Sequence, residues 1–310
     1  MPYPIEDKLV IAVASSALFD LSESDKVFRE KGASEYKEYQ EKNIDNVLGK
    51  GVAFPFIRRF LNLNSHFPEQ SPFEVVLLSR NSPETGLRVF HTIQHYKLNI
   101  TRAAFFSGES PFQYINAFNA SLFLSANGED VEKAIEAGYP AGKVLNTTVE
   151  DNDDDDELRL AFDFDGVIAD DEAEKVYKET RDLGEFHRQE TLKVATPHKS
   201  GPLSDLIRKI SVFQKLERER KEKDPDYKRK FKTAIITARN APSHERMVTT
   251  LKSWNIDVNE AFFLGGIEKK RILEVMKPHI YFDDQTLHLG KIDSVPMVHI
   301  PFGIANRKGS

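Results

Sequence analysis

Four short stretches recur in the same order in the two halves of this 310-residue chain. FIRRF (56–60) corresponds to LIRKI (206–210), and a glycine lies shortly before each, Gly51 and Gly201. The other pairs are VVLLSRNSP (75–83) with AIITARNAP (234–242), NITRAAFFSG (99–108) with DVNEAFFLGG (257–266), and ASLFLSAN (120–127) with PHIYFDDQ (278–285). Any two α/β segments share some of this character, but the preserved order favours two related domains.

The secondary-structure pattern of both halves is an alternation of apolar runs and amphipathic stretches. Short β-rich runs separated by helical patterns predict a parallel sheet that is covered by helices on both faces. We therefore predict a doubly wound, Rossmann-like α/β fold for each half. The strand candidates are KLVIAVAS, FEVVLLS, AAFF and SLFLSA in the first half and LRLAFDF, KTAIITA, AFFLG and HIYFDD in the second.

An acidic run at 151–157, broken only by Asn152, lies where the two halves should join. Charge runs of this kind are usually solvated linkers. We therefore predict domains at 1–155 and 156–310. The charged segment RERKEKDPDYKRK (218–230) has no counterpart in the first half and is typical of an exposed insertion.

Carboxylates distinguish the second half from the first. Asp163 and Asp165 follow one predicted strand, and Asp283 and Asp284 end another. At the corresponding places the first half has Ala14-Ser15-Ser16 and Ser125-Ala126. If the aspartates served the fold alone, both halves would be expected to carry some, so their position indicates chemistry in the second half.

The aspartates fit a magnesium site at the carboxyl ends of parallel strands, where open α/β sheets bind ligands. Like charges this close repel, and a divalent cation bound by oxygen ligands offsets the repulsion. In such a site Asp163 would attack phosphorus and form an aspartyl-phosphate. Asp165 would protonate the leaving oxygen and later deprotonate water.

These residues resemble the four motifs of the haloacid dehalogenase-like phosphohydrolases. The stretches, in the family's order, are FDFDGV (162–167), IITAR (235–239), a lysine in LGGIEKK (264–270) and YFDDQ (281–285). The resemblance implies that Thr237 binds the phosphoryl group and that Lys269 neutralises nucleophile and phosphate, although Lys270 is adjacent. The implied metal ligands are Asp163, Asp165, Asp283 and Asp284, with Mg²⁺ as the cofactor.

Nearly the whole chain resembles the cytosolic type-I 5′-nucleotidase family. The stretches concerned are IAVASSALFD (11–20), GVAFPFIRRFLNLN (51–64), ESPFQYINAFNASLFLSAN (109–127) and PHIYFDDQTLH (278–288). The resemblance implies a Mg²⁺-dependent 5′-nucleotidase that hydrolyses nucleoside 5′-monophosphates of the AMP or IMP type. It also implies two haloacid dehalogenase-like halves, the first degenerate and non-catalytic and the second with a cap at about 172–230.

Other activities stay open at this point. A phosphatase of the same mechanism could act on another small phosphate ester, and an aspartyl-phosphate is equally compatible with nucleoside phosphotransfer. A non-enzymatic nucleotide-binding protein is the third alternative. In the first half, the loops LLSRN and SGES could hold a regulatory nucleotide.

Several further residues are candidates for substrate binding. Ala238 and Arg239 follow Thr237, but an equivalent Arg80 in the first half makes a structural role equally plausible. His198 and Lys199 lie in the cap segment TPHKSGPL, for which an exposed loop is the alternative. At least one of Asp170 and Asp171 is predicted to cap a helix N-terminus. Aromatic candidates for stacking on a base are Tyr177, Phe186 and Phe213.

Composition limits the compartment and the partners. The chain has no cysteine, which excludes disulfides and thiolate metal sites and favours a cytoplasmic location. A net charge of −6 argues against a broad nucleic-acid-binding face. The apolar stretch near the N-terminus is too short to span a membrane and lacks a preceding basic region. We expect no nucleic-acid or membrane partner, and a homo-oligomer stays open.

Overall fold

The computed structural model describes residues 3–145, 151–289, 292 and 294–307. It divides the chain into two compact units, Met1–Val144 and Leu145–Ser310. The division falls directly after the last strand of the first unit, so the acidic run at 151–157 belongs to the second unit. The sequence places the boundary later, near residue 155, because it takes this acidic run as the junction.

The first unit contains a parallel five-stranded arrangement in the order β7-β6-β1-β4-β5. Its strands are β1 (Leu9–Val13), β2 (Phe19–Asp20), β3 (Gly49–Lys50), β4 (Phe73–Ser79), β5 (Arg102–Phe105), β6 (Ala120–Ser125) and β7 (Ala141–Val144). Strands β2 and β3 form a separate antiparallel pair. Its helices are α1 (Ser15–Leu18), α2 (Ser22–Lys42, interrupted at Gly32), α3 (Phe54–Asn62), α4 (Leu87–His95) and α5 (Gly128–Glu136).

The second unit has the corresponding order in its own strands, β12-β11-β8-β9-β10, and these strands are again all parallel. They are β8 (Leu158–Phe162), β9 (Phe231–Thr237), β10 (Glu260–Phe263), β11 (Ile280–Asp283) and β12 (Met297–His299). The helices are α6 (Glu172–Thr180), α7 (Leu183–Leu192), α8 (Ser204–Lys223), α9 (His244–Ser253), α10 (Lys269–Met276) and α11 (Thr286–Leu289). Short 3₁₀ turns cover Ile5–Asp7, Leu63–His66, Phe112–Tyr114, Asn116–Phe118 and Ile304–Asn306.

The predicted α/β class with a parallel, helix-flanked sheet is confirmed. All residues of β1 and β4 are buried, as continuous apolar runs require. In the second unit, Phe162 of β8 stacks on Phe282 of β11 with ring centroids 5.0 Å apart. Phe105 and Phe262 are only half-buried because their strands β5 and β10 lie at sheet edges.

Part of the predicted cap region belongs to the sheet layers instead. Helix α8 buries Leu206, Ile207 and Ile210, and the Nε2 of its Gln214 lies 2.6 Å from the hydroxyl of Thr233 in β9. Helices α6 and α7 instead contribute side chains to a cavity that Asp163, after β8, and Thr237, at the end of β9, also line. In the part of the chain that the structure describes, no helix is long and apolar enough to cross a bilayer.

Two glycines hold the chain close to the loop that follows the first strand of each unit. A Cβ on Gly51 would lie 2.7 Å from the backbone of Leu18, and one on Gly201 would lie 2.8 Å from the carbonyl oxygen of Val167. The amide of each glycine donates to that same loop, Gly51 to Leu18 at 2.9 Å and Gly201 to Ile168 at 2.8 Å. The repeated glycine therefore has a packing reason in both units.

We expect Gly51→Ala and Gly201→Ala each to lower the free energy of unfolding by about 1–3 kcal/mol, because the new Cβ overlaps backbone atoms that have no room to move. Gly128→Ala is the matched control, since its Cβ would meet only the flexible side chain of Lys143. Urea denaturation measures all three. An unfolding free energy for Gly201→Ala equal to that of the control would contradict the close packing.

Candidate active site

The first predicted site residue, Asp163, directly follows strand β8. Its amide donates to the carbonyl of Phe282 in β11 at 2.8 Å, so this position still extends the sheet. The amide of Phe164 in turn donates to Asp163 Oδ1 at 2.7 Å. The residue is only 5% exposed. The main chain thus fixes one carboxylate oxygen, and Oδ2 is left for other partners.

A lysine joins the two aspartate-bearing strands. Lys269, at the start of helix α10, places Nζ 2.6 Å from Asp163 Oδ2 and 2.8 Å from Asp283 Oδ2. Asp283 also accepts hydrogen bonds from the Tyr281 hydroxyl at 2.5 Å and from the amide of Gln285 at 2.8 Å. The neighbouring Lys270 pairs instead with Glu274 on the surface of the helix. Lys269 is therefore the lysine that the fold brings to the carboxylates.

Burial dominates the electrostatics of this group. It raises the pKa of Asp163 to about 7, and the charges of Asp283 and Asp165 add to the increase while Lys269 opposes it. Burial alone would lower the pKa of Lys269, but the two carboxylates outweigh it and raise that pKa above its ordinary value. Asp283 keeps a pKa well below its ordinary value, because Lys269 and His288 outweigh the effect of burial. Asp283 is therefore the stable anion of the group.

Asp284 is the carboxylate without a partner. It is fully buried, and neither oxygen has a hydrogen-bond partner among the described residues. Burial raises the pKa of Asp284 to about 10, with further contributions from Asp163 and Asp283. A Cβ on Gly166 would lie 2.5 Å from Asp284 Oδ2, so this carboxylate lies directly against the loop that follows Asp163.

These aspartates fit a magnesium ion, and their roles differ. Mg²⁺ prefers carboxylate oxygens, and a buried carboxyl group with no donor is unfavourable unless a cation compensates it. Asp284 offers free oxygens, whereas those of Asp283 already accept from Lys269, Tyr281 and Gln285. Ligand atoms of Asp163, Asp283 and His288 lie within 4.8 Å of one another. Asp284 thus has oxygens available to a cation, and Asp163 and Asp283 bring further carboxylate oxygens close to one another.

Asp165 points to a different partner from Asp163. Both of its oxygens accept from Arg239, Oδ2 from Nε and Oδ1 from Nη2, each at 2.7 Å. Each of its oxygens is therefore held by the guanidinium, unlike the oxygens of Asp284. The two aspartates of the first motif therefore have different partners: Asp163 is bound by Lys269 and Asp165 by Arg239.

The strand end of β9 supplies the next candidates. Thr237 is 1% exposed, and its hydroxyl accepts from the amide of Arg239 at 3.2 Å. Thr237, Ala238 and Arg239 all line the same cavity as Asp163 and Asp165. The fold therefore brings the residues of the first and second motifs to one space.

Other candidates lie away from that space. His198 is buried behind Arg239, with Nε2 3.2 Å from Arg239 Nη2, and Lys199 is exposed; neither lines the cavity. Asp171 occupies the N-cap position of α6 but makes no cap hydrogen bond, so the predicted capping role is wrong for it. Its carboxylate accepts instead from the amide of Ile304 at 2.7 Å, because the C-terminal segment passes there.

The cavity has a volume of about 440 Å³ and is closed on one side by helices α6 and α7. From this side come the mostly apolar side chains of Tyr177, Leu183 and Phe186, with Glu174 and Lys178 beside them. Phe213 is not among its lining residues. Phosphate chemistry at Asp163 would therefore take place next to a space that accepts a larger, partly apolar group.

Three residues of the site are not among the candidates that the sequence suggests. Gln285 and His288, which follow Asp283 and Asp284 in the sequence, line the cavity. Glu190 of α7 forms an ion pair with Arg239. Gln285 follows the fourth motif directly, so its position near the site could have been inferred. Glu190 lies in a charged helix among exposed residues, where only the three-dimensional structure distinguishes it.

The corresponding loops of the first unit bind an internal carboxylate. Arg80, the counterpart of Arg239 in the sequence repeat, donates from Nε to Asp130 Oδ2 at 2.9 Å. The hydroxyl of Ser110 in the SGES loop donates to the same Asp130. A regulatory nucleotide at these two loops would have to displace this carboxylate.

Comparison with known proteins gives a consistent result. The family model described as 5′-nucleotidase matches residues 1–307. Human "Cytosolic 5'-nucleotidase 1B" is 32% identical over 296 residues, which is 93% of this chain and 48% of that protein. The chain thus spans about half the length of this curated relative. The sequence resemblance to these nucleotidases is confirmed by both matches.

Two solved structures give a weak likeness. One, the "Structure of the Pnkp1/Rnl/Hen1 RNA repair complex", has a TM-score of 0.33 at 12% identity, and the other, the "Structure of Pnkp1/Rnl/Hen1 complex", has 0.33 at 14%. Each match covers 96% of both chains. A TM-score this low supports no argument about fold or function.

We expect Asp284→Asn to make the cation-free protein less sensitive to pH. Because the folded-state pKa of Asp284, about 10, lies above its unfolded value, the folded state binds the extra proton. This proton binding contributes fully to the free energy of unfolding below about pH 4, and the contribution is lost as the pH rises towards 10. Thermal unfolding in a chelator should show the wild type losing stability between pH 5 and about pH 8 more steeply than the variant.

Adding Mg²⁺ in the same experiment should raise the unfolding temperature of the wild type and not that of Asp284→Asn, because ligand binding to the folded state stabilises it. Asp154→Asn, which removes an exposed carboxylate of the acidic run, should behave as the wild type does. Equal stabilisation of the wild type and Asp284→Asn by Mg²⁺ would contradict the assignment of Asp284.

Proposed function

This chain belongs to the 5′-nucleotidase family, and from that membership and the site geometry we propose that it is a Mg²⁺-dependent hydrolase of nucleoside 5′-monophosphates of the AMP or IMP type, acting in the cytoplasm. The observation that most supports the proposal is the contact of Lys269 with both Asp163 and Asp283, next to Asp284, whose oxygens have no hydrogen-bond partner in the described part of the chain. Lys269 thus neutralises the buried carboxylate of Asp163, the proposed nucleophile, and the oxygens of Asp284 stay available to a metal ion.

We also propose that both units are haloacid dehalogenase-like and that only the second is catalytic. The identical strand order of the two units supports a common ancestry. At the strand ends of the first unit, Ser15 and Ser79 bond to each other, Oγ to Oγ, at 2.8 Å. Hydroxyls in these places provide neither a strong nucleophile nor a metal ligand, so the first unit would serve the fold or regulation.

In the proposed reaction, Asp163 attacks phosphorus and the P–O5′ bond breaks. The pair of electrons leaves with O5′, which takes the proton carried by the protonated form of Asp165; Asp165 is then a carboxylate and Asp163 an aspartyl-phosphate. Water then attacks this phosphorus, Asp165 takes its proton, and phosphate and free Asp163 result. Lys269 and the hydroxyl of Thr237 would bind phosphoryl oxygens throughout. A bound Mg²⁺, held by Asp163 and Asp284, would supply further positive charge to those oxygens.

The nucleoside would occupy the cavity below α6 and α7. Its volume, about 440 Å³, is in the range of small-molecule sites. Tyr177 is 48% exposed at this cavity, and an aromatic ring in that position is suited to stacking on a base. A small phosphate ester without a base would leave this apolar part of the cavity unused, which makes a general sugar phosphatase the weaker alternative.

We expect Asp163→Asn to lower Mg²⁺-dependent phosphate release from AMP and IMP by more than about 10³-fold, because the amide cannot act as the nucleophile. Asp154→Asn is the matched control and should keep full activity. A phosphate-release assay over purine and pyrimidine monophosphates and a hexose phosphate measures both variants. Retained hydrolysis by Asp163→Asn, or no hydrolysis of any nucleotide by the wild type, would refute the proposed function.

Substitution of Tyr177 tests where the base binds. Tyr177→Ala should raise KM for AMP by about three- to tenfold with little change in kcat, because the ring contributes only to binding. Tyr177→Phe keeps the ring and should resemble the wild type. An equal rise in KM for a hexose phosphate would show that the ring does not recognise the base.

A further inference from the structure

Four ionisable side chains are buried together beside the cavity, and one of them, Arg239, also lines it. Arg239, Glu190, Arg246 and His198 expose only 3%, 3%, 2% and 3% of their surfaces. They come from four different segments: the loop after β9, helix α7, helix α9 and the loop before α8. Taking isolated charges out of water is strongly unfavourable, so such a group is stable only when each charge has well-placed partners.

Glu190 is shared by both arginines of this group. Its Oε1 lies 2.8 Å from Arg246 Nη1, and its Oε2 contacts Arg239 Nη1 and lies 3.3 Å from His198 Nε2. Arg246 also binds Glu172 of helix α6, with 2.9 Å between Nη2 and Oε2. Burial would raise the pKa of Glu190, but His198 and Arg239 outweigh it and lower that pKa to about 2. Glu190 is therefore charged at all working pH values.

Arg239 has a partner on every side. Nε and Nη2 donate to the two oxygens of Asp165, and Nη1 donates to Glu190 and to the carbonyl of Ser243 at 3.0 Å. The rings of Phe164 and Phe186 lie 5.3 and 5.7 Å from its guanidinium carbon. A guanidinium held in this way has one orientation, and Asp165 takes its own orientation from it.

We propose that Glu190 and Arg239 are positioning residues for the acid–base step: Glu190 fixes Arg239, and Arg239 holds the Asp165 carboxylate where it can reach the leaving oxygen. This inference rests on the proposed function, since it concerns the role of Asp165 in that reaction. The inference connects Glu190 of helix α7, which closes one side of the cavity, with Asp165, which transfers the proton. Without Glu190, the Nη1 of Arg239 would keep only the neutral carbonyl of Ser243 as an acceptor, so the guanidinium would be held less firmly against Asp165.

The chemistry of the leaving group gives a specific readout. When the P–O5′ bond of AMP breaks, an alkoxide would leave unless Asp165 protonates it. In the analogue with sulfur at the bridging 5′ position, the P–S bond breaks and the electron pair leaves with sulfur as a thiolate. A thiol has a pKa near 8.5, so its thiolate leaves without a proton donor. A residue that positions Asp165 therefore matters for AMP and not for the sulfur analogue.

The experiment measures kcat/KM of the full chain with Mg²⁺ for AMP and for 5′-thioadenosine S-phosphate. This ratio reports only the steps up to departure of the nucleoside. We expect Glu190→Gln to lower it for AMP by about 10- to 100-fold, in the range of misplaced general acids, and for the sulfur analogue by less than about threefold. Arg239→Lys keeps the positive charge but not the paired hydrogen bonds to Asp165. Its kcat/KM should likewise fall more for AMP than for the sulfur analogue.

Glu217→Gln is the matched control for loss of a buried glutamate. Glu217 in α8 is 5% exposed and accepts from the Tyr227 hydroxyl at 2.8 Å and from the amide of Lys230 at 2.7 Å. It lies outside the cavity lining, so its variant should process both esters as the wild type does. In an Asp165→Asn background, Glu190→Gln should cause no further loss for AMP, because the two residues act through one step.

Equal losses for both esters in Glu190→Gln, or wild-type rates for AMP, would overturn the inference while leaving the proposed function intact. If Glu190→Gln does not fold, Arg239→Lys decides by the same comparison. A further loss in the Asp165→Asn background would likewise overturn it. Failure of the wild type to hydrolyse AMP would refute the proposed function, and the inference would be refuted with it.

Discussion

The contact between Lys269 and the carboxylates of Asp163 and Asp283 is the interaction on which the site depends. These groups come from strands β8 and β11 and helix α10, so a single ammonium joins three elements in a buried place. Without that positive charge, the aspartates would repel each other in surroundings where water cannot screen them. Beside this contact, Asp284 has no hydrogen-bond partner among the described residues and is therefore available to a cation.

The two units show how one framework gives different chemistry. Arg80 and Arg239 follow corresponding strands, and each binds a carboxylate through a fork. In the first unit the carboxylate is Asp130 of helix α5, which makes the contact structural. In the second it is Asp165 of the loop after β8, so the same arginine position acquires a role in the proposed reaction. The difference lies in which segment supplies the acid.

Sequence analysis predicts the parts of this account that have local signals. Continuous apolar runs predict the strands, and the motif spacing brings Asp163, Thr237 and Lys269 together. The different roles of Asp283 and Asp284 could not be predicted, because adjacent residues at a strand end differ only in which partners surround them. Glu190 was missed for a similar reason: its partners Arg239 and Arg246 are distant in sequence, and an acidic residue in a charged helix ordinarily faces water.

The central claim is that Asp163 accepts the phosphoryl group while Lys269 neutralises it. The most direct measurement is to quench turnover of AMP in acid, reduce the protein with borohydride, which converts an aspartyl-phosphate to homoserine, and locate the product by mass spectrometry. The account predicts homoserine at position 163 and nowhere else. Turnover that yields no homoserine at this position, or yields it at another aspartate, would contradict the account.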